Sequence, residues 1–268
     1  MSDLNRGYGL DEHGFIVSDV SVEKIATEYE GCIRNTIKNL HLLFPTGLHS
    51  IYVYGSVARG DAVALKSDLD VLVIFHQPLD YTQIAQVKEL GKELSSIYKS
   101  LVRDVGIAVV HYDYVINPST YYEQAFISEL CVCVDGIDIR KQFGPYKLTA
   151  DIAIHFNGDI GEVYERAMKR FEQANSEERP LLIQNFSRKL IRTFYSMVMA
   201  RAQIWTTKLQ EQAEVFISFF GNKKEVVQIL LRWVEEPTSE WEKVEHLFTN
   251  EVQWLGEHFE DEAHVTIR

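Results

Sequence analysis

The stretch YVYGSVARGDAVALKSDLDVLV, Tyr52 to Val73, decides how this chain is read. A short apolar, β-rich segment leads into Gly55-Ser56. A small turn-and-helix segment follows, and Ser67-Asp68-Leu69-Asp70 then opens a second apolar segment. Side chains alternate across a strand, so Asp68 and Asp70 project from one face while Leu69, Val71 and Val73 face a core. Two like charges side by side disfavour folding, and a divalent cation between them relieves the repulsion. Gly55 removes a Cβ where backbone must approach a ligand. Ser56 adds a hydroxyl and an N–H. A helix starting just after it aims free N–H groups and a positive dipole end at the same spot, a cradle for phosphate.

A third carboxylate from a neighbouring strand would complete such a site. Asp104, which opens the apolar run VGIAVV at 105–110, is the candidate. Phosphoryl transfer uses these parts: metal ions bridging phosphate oxygens, a cradle for the phosphates, and a carboxylate to take a proton from the attacking hydroxyl. Singly, Gly-Ser is a turn, Asp-x-Asp a solvated strand end, and Asp104 a strand cap or the ion-pair partner of Arg103. Together and in order they point to a metal-dependent nucleotide-handling site.

Outward from this stretch, apolar spacing predicts a helix over 21–43, strands over 49–54 and 70–75, and a helix over 81–101. A buried strand over 105–111, a helix over 121–130 and a strand over 131–134 follow, an alternation that indicates an α/β layered domain. The pattern then changes. Segments 160–175, 178–205, 208–220, 223–234 and 239–259 all have helical spacing, with Pro180, Gly221, Pro237 and an N-cap at Thr238 or Ser239 as punctuation. Leu181, Leu182, Phe186, Leu190, Ile191, Phe194, Met197 and Val198 make 178–205 apolar enough to be the centre of a helical bundle. Residues 1–20 read as a surface arm. The expected division is an α/β domain at 1–148 that carries the candidate site and a C-terminal helical domain at 149–268, which the resemblance given below makes the catalytic and the substrate-binding domain.

The 268 residues suffice for two compact domains, and 46% hydrophobic content is ordinary for a globular protein. A net charge of −12 disfavours a broad nucleic-acid surface and is compatible with a cationic small-molecule partner. There is no run of membrane-spanning length and no signal-peptide pattern, so a cytoplasmic location without membrane association is expected. Cys32, Cys131 and Cys133 are expected to be reduced thiols rather than a disulfide or a zinc site. Oligomeric state is not read from the sequence.

The segments Gly55-Ser56-Val57-Ala58-Arg59-Gly60-Asp61 and Ser67-Asp68-Leu69-Asp70-Val71-Leu72-Val73 resemble the signature of the DNA polymerase β-like nucleotidyltransferase superfamily: G-S, a spacer of roughly a dozen residues, then D-x-D and apolar residues. The resemblance implies an α+β fold, a two-layer core with a mixed sheet, followed by an all-α bundle. It implies Mg²⁺-dependent transfer of a nucleoside monophosphate, AMP from ATP, to an acceptor hydroxyl. Carried over, Gly55, Ser56, Arg59 and Ser67 hold the nucleotide. Asp68 and Asp70 hold metal, and Asp104 completes the catalytic set as the third carboxylate, being metal ligand, general base or both. The helical second half resembles the streptomycin/spectinomycin type of aminoglycoside adenylyltransferase. In that type basic side chains of the long bundle helix and the segment after it reach the triphosphate; Arg192 and Lys208 are the candidates here. The acid before the strand is usually Glu in that type, so Asp104 is one methylene shorter. The competing functions are a transferase acting on a protein or a tRNA, as in toxin–antitoxin pairs, and a non-catalytic nucleotide-binding regulator.

Overall fold

The protein was analysed as a computed structural model that describes residues 4–265. It divides into two compact units, one of residues 18–145 and one of residues 1–17 with 146–268.

In the first unit, helix α1 (Thr27–Leu43) leads into strand β1 (Leu48–Tyr54). The short helix α2 (Gly55–Arg59) and strand β2 (Leu69–Phe75) follow. Next come α3 (Tyr81–Ile97), β3 (Val105–His111), a single turn α4 (Tyr112–Val115), α5 (Tyr121–Leu130) and β4 (Cys131–Gly136). The sheet order is β3-β2-β1-β4. β1 is antiparallel to both β2 and β4, while β2 and β3 run parallel and are joined through α3. The sheet is therefore mixed, as expected. Helix α3 starts cleanly because Asp80 and Gln83 form a reciprocal capping box.

Leu69, Val71, Val73 and Phe75 join Ile51, Val53 and Val105 in one core, which also takes in Tyr29 and Cys32 of α1 and Val87, Leu90 and Leu94 of α3. Leu72 and Ile74 are buried on the opposite face with Tyr52, Cys131, Val115 and Ile127. β2 is thus apolar on both faces except where Asp70 interrupts one of them.

The second unit contains α6 (Ala150–Asn157), α7 (Ile160–Gln173), α8 (Glu178–Ala202), α9 (Leu209–Phe219), α10 (Lys224–Glu235) and α11 (Trp241–Ala263). Helix α8 touches all five others and is the centre of the bundle. Phe194 on α8 is fully buried and stacks on Phe216 of α9, ring centres 4.6 Å apart. Two details differ from expectation. Helix α6 sits where no helix is expected, its start held by the Thr149 hydroxyl accepting from the Ile152 N–H. Glu240, rather than Thr238 or Ser239, is the N-cap of α11; the Thr238 hydroxyl accepts from the Glu240 N–H instead.

The N-terminal segment clusters with the helical unit, so the division at 148/149 misses this return of the chain. The Gly7 N–H donates to the Gln203 carbonyl at 2.8 Å and the Trp205 N–H to the Tyr8 carbonyl at 2.9 Å. Gly9, at φ +70°, lies so close that a Cβ would stand 2.1 Å from the Trp205 carbonyl oxygen. Such an arm cannot be read from periodicity, because its pairing partners lie nearly 200 residues away.

Candidate active site

Sheet register assembles the site at one end of the sheet. Tyr54 pairs with Asp70 on β2 and with Cys131 on β4, and Asp70 pairs with Gly106 on β3. Cys131, Tyr54, Asp70 and Gly106 form one row across four strands, and paired residues share a face. Phe126 of α5 meets the Tyr54 ring edge-on at 5.2 Å. Burial, and after it the Asp70 charge, holds the Tyr54 phenol well above its ordinary pKa. Tyr54 therefore stays neutral beside the carboxylates. The Cys131 thiol is likewise raised, first by burial.

Gly55 has φ +73°, and a Cβ there would lie 2.4 Å from Asp70 Oδ2. The chain turns from β1 into α2 by passing directly against the carboxylate, a path open to glycine and strained for any L side chain. On the other flank, a Cβ at Gly106 would stand 3.6 Å from Asp70 Oδ1. The Asp70 oxygens thus lie between two strand positions without side chains.

Asp68 stands just before β2 and is held by Arg103 in a two-point ion pair: Nε donates to Oδ1 at 2.9 Å and Nη2 to Oδ2. The Arg103 N–H donates to the Ser67 carbonyl, and the Leu69 N–H to the Asp104 carbonyl. The ladder between the two strands thus continues past their formal ends and brings Arg103 to Asp68.

Asp104 is not part of this group, and here the structure corrects the expectation. Its Oδ1 accepts from the Ser95 hydroxyl of α3 at 2.6 Å and from the Val105 N–H at 3.0 Å. That is the role of a strand-start cap. Among the described residues no three His, Cys, Asp or Glu side chains are grouped to hold a metal ion. The position facing Asp70 on β3 is Gly106, and glycine supplies no ligand.

Of the remaining candidates, Arg59, Ser67 and Lys208 have local partners. Arg59 donates from Nε to Asp61 at 3.1 Å. The Ser67 hydroxyl accepts from the Val63 N–H at 2.9 Å and closes the loop before β2. Ser56 is the second residue of α2, whose start has no side-chain cap. Arg192 and Lys208 belong to the helical unit. Arg192 is exposed on α8, and Lys208 Nζ pairs with Glu211 at 3.1 Å. Sequence reading missed Arg103 as the partner of Asp68, and Gly106. A lone glycine inside a β-branched run is the one available signal for the latter, since it marks a close approach.

A divalent cation fits the donor chemistry: Asp70 has glycine on both flanks, and Asp68, two residues earlier, supplies a second hard carboxylate that now pairs with Arg103. Mg²⁺ commonly uses one or two protein carboxylates, the rest of its shell coming from phosphates and water.

A mixed sheet whose first strand turns through Gly-Ser into a short helix, with paired acids on the next strand, defines a nucleotidyltransferase-type domain. Within this unit, residues 33–126 match the family described as nucleotidyltransferase domain. The chain as a whole is similar in fold to the spectinomycin adenyltransferase AAD(9) from Enterococcus faecialis, solved with ATP and spectinomycin. The TM-score is 0.53 at 12% identity, over 84% of this chain and 98% of that one. No curated protein matches the sequence.

Proposed function

We propose that this chain transfers a nucleoside monophosphate, AMP from ATP, to a hydroxyl of a small cationic molecule of the aminoglycoside kind. The observation that carries the reading is the contact of Gly55 with Asp70, beside Asp68: backbone turn, helix start and two carboxylates within one small volume. Asp68 and Asp70 would hold Mg²⁺, which when bound neutralises charge building up on the transferring phosphoryl group. Gly55 and Ser56 present backbone N–H groups toward the phosphates, and Ser67 holds the loop that carries the acids. Tyr54, neutral beside Asp70, walls the site. The net charge of −12 suits a cationic acceptor. That the fold neighbour was solved with ATP and spectinomycin supports a nucleoside triphosphate as donor and a small-molecule acceptor.

The test is incubation of the full chain with labelled ATP, Mg²⁺, and separately a panel of aminoglycosides, total tRNA and cell lysate. Label on an aminoglycoside, with release of pyrophosphate, is the expected result. Label only on protein or RNA overturns the acceptor assignment.

Two observations favour a second reading, a nucleotide-binding protein without turnover. Arg103 occupies Asp68, and Gly106 stands where a third carboxylate would face Asp70. ATP bound without pyrophosphate release in the presence of every acceptor would select it.

A further inference from the structure

We propose that Arg103 is an exchange residue of the nucleotide site: it neutralises Asp68 while the site is empty, yields Asp68 to the divalent cation, and then holds a phosphate oxygen of the incoming nucleotide. The inference rests on the nucleotidyl-transfer reading and concerns how cation and nucleotide enter that site.

Charge is the first argument. Arg103 is the cation paired with Asp68 at the sheet end, with glycine at the β3 position opposite Asp70. While that guanidinium neutralises Asp68, the carboxylate is a poor ligand for a bare divalent cation, which must displace the guanidinium to reach it. A cation arriving with a polyphosphate brings its own anionic ligands and does not meet this limit.

Burial is the second argument. The Arg103 side chain is only 15% exposed and Asp68 25%. A guanidinium at that depth is not left without an anion, because breaking a buried pair by removing one partner strands a charge. When the cation takes Asp68, Arg103 needs a replacement acceptor at nearly the same place. Phosphate oxygens match a planar guanidinium as a carboxylate does, through two parallel N–H···O bonds.

Geometry is the third. Asp68 and Arg103 are joined by Nε and Nη2, and the backbone of Arg103 is fixed by its N–H to the Ser67 carbonyl at 3.0 Å. The main chain stays anchored while the side chain exchanges one oxygen pair for another.

The experiment measures binding of Mn²⁺ alone, and of Mn²⁺ with α,β-methylene-ATP, to the full chain. Wild type is compared with Arg103→Gln, Arg103→Lys, Asp68→Asn and Asp70→Asn. In Arg103→Gln, Mn²⁺ alone binds about tenfold tighter and the Mn²⁺–nucleotide complex about tenfold weaker, each the size of one charge-assisted pair. Arg103→Lys keeps the charge without the fork. It leaves Mn²⁺ binding near wild type and weakens the nucleotide complex, which covers the case in which Arg103→Gln does not fold. Affinities of Arg103→Gln that are both unchanged, or that fall together, make Arg103 a structural residue and overturn the proposal while Mn²⁺ binding by wild type stands. Absence of Mn²⁺–nucleotide binding in wild type overturns the nucleotidyl-transfer reading, and the proposal with it.

Discussion

Two ion pairs, one in each unit, each hold one expected site residue, Asp68 for metal and Lys208 for nucleotide, and they differ in kind. Arg103–Asp68 is two-pointed, with both side chains mostly out of solvent, at 15% and 25% exposure. Lys208–Glu211 joins a 66% exposed lysine to a glutamate at 12%. In the first pair both members are committed, and neither can leave without the other finding a new partner. In the second only Glu211 is committed. It also accepts from the Thr206 hydroxyl at 2.6 Å and the Tyr8 hydroxyl at 3.3 Å, which tie the N-terminal arm to the start of α9. Lys208 is a solvated point charge resting on that network. An exposed lysine can leave its partner at little expense, so it is available to a ligand; a half-buried arginine leaves only in exchange.

The largest effect on this contrast is expected from Asp70→Asn. On the proposed function turnover falls by roughly 10³-fold, because Asp70 would no longer help to hold a metal ion that supplies several kcal/mol of charge stabilisation. Single-turnover assays with labelled ATP check it, and full activity in Asp70→Asn would break the site reading. Gly55→Ala comes next. The positive φ and the new Cβ against Asp70 Oδ2 cost roughly 1–3 kcal/mol of stability, read by urea unfolding, and Mn²⁺–nucleotide binding falls with it.

Glu211→Gln is third, with a fall in Tm at neutral pH of about 2–4 °C, as loss of ~1 kcal/mol makes in a chain of this size. Burial acts to raise the Glu211 pKa, but hydrogen bonds from Thr206 and Lys208, and the Lys208 charge, hold it below its ordinary 4.5. A depressed carboxylate stabilises the fold above its unfolded pKa, and that stability is lost as pH falls through the folded value. The Tm difference between Glu211→Gln and wild type therefore shrinks in acid below 4.5; a difference that grows in acid would show that the network does not depend on the ionised carboxylate. The smallest effect is that of Lys208→Met, which leaves Tm within error. A clear drop in Tm would place Lys208 in the same class as Arg103.

Much of the architecture was legible because it is local. Apolar alternation marked β1 to β4, and the strand over 105–111 and the helix over 121–130 appear with their expected ends. Helix α8 was recognisable as the bundle centre because it carries more apolar side chains than one face can hold. Asp68 and Asp70 were recognisable as neighbours from their spacing, and Gly55 as a close approach from its lack of a side chain. The placement of Asp104 was not legible. It stands one residue before β3, and its carboxylate is captured by Ser95, a residue of the crossover helix that nothing in the local pattern marks.

What the sequence by itself determined is the kind of site. A glycine turn and two acids on a strand are short-range features, and strand geometry alone puts the acids on one face. Which residues share the site was decided only by tertiary structure. The parallel register of β2 and β3 is set across a crossover of some thirty residues and by burial on both faces of β2. A shift of that register by one residue would turn the β3 side chains to the other face of the sheet. The register as it stands brings Gly106 to Asp70 and Arg103 to Asp68, and leaves Asp104 as a cap.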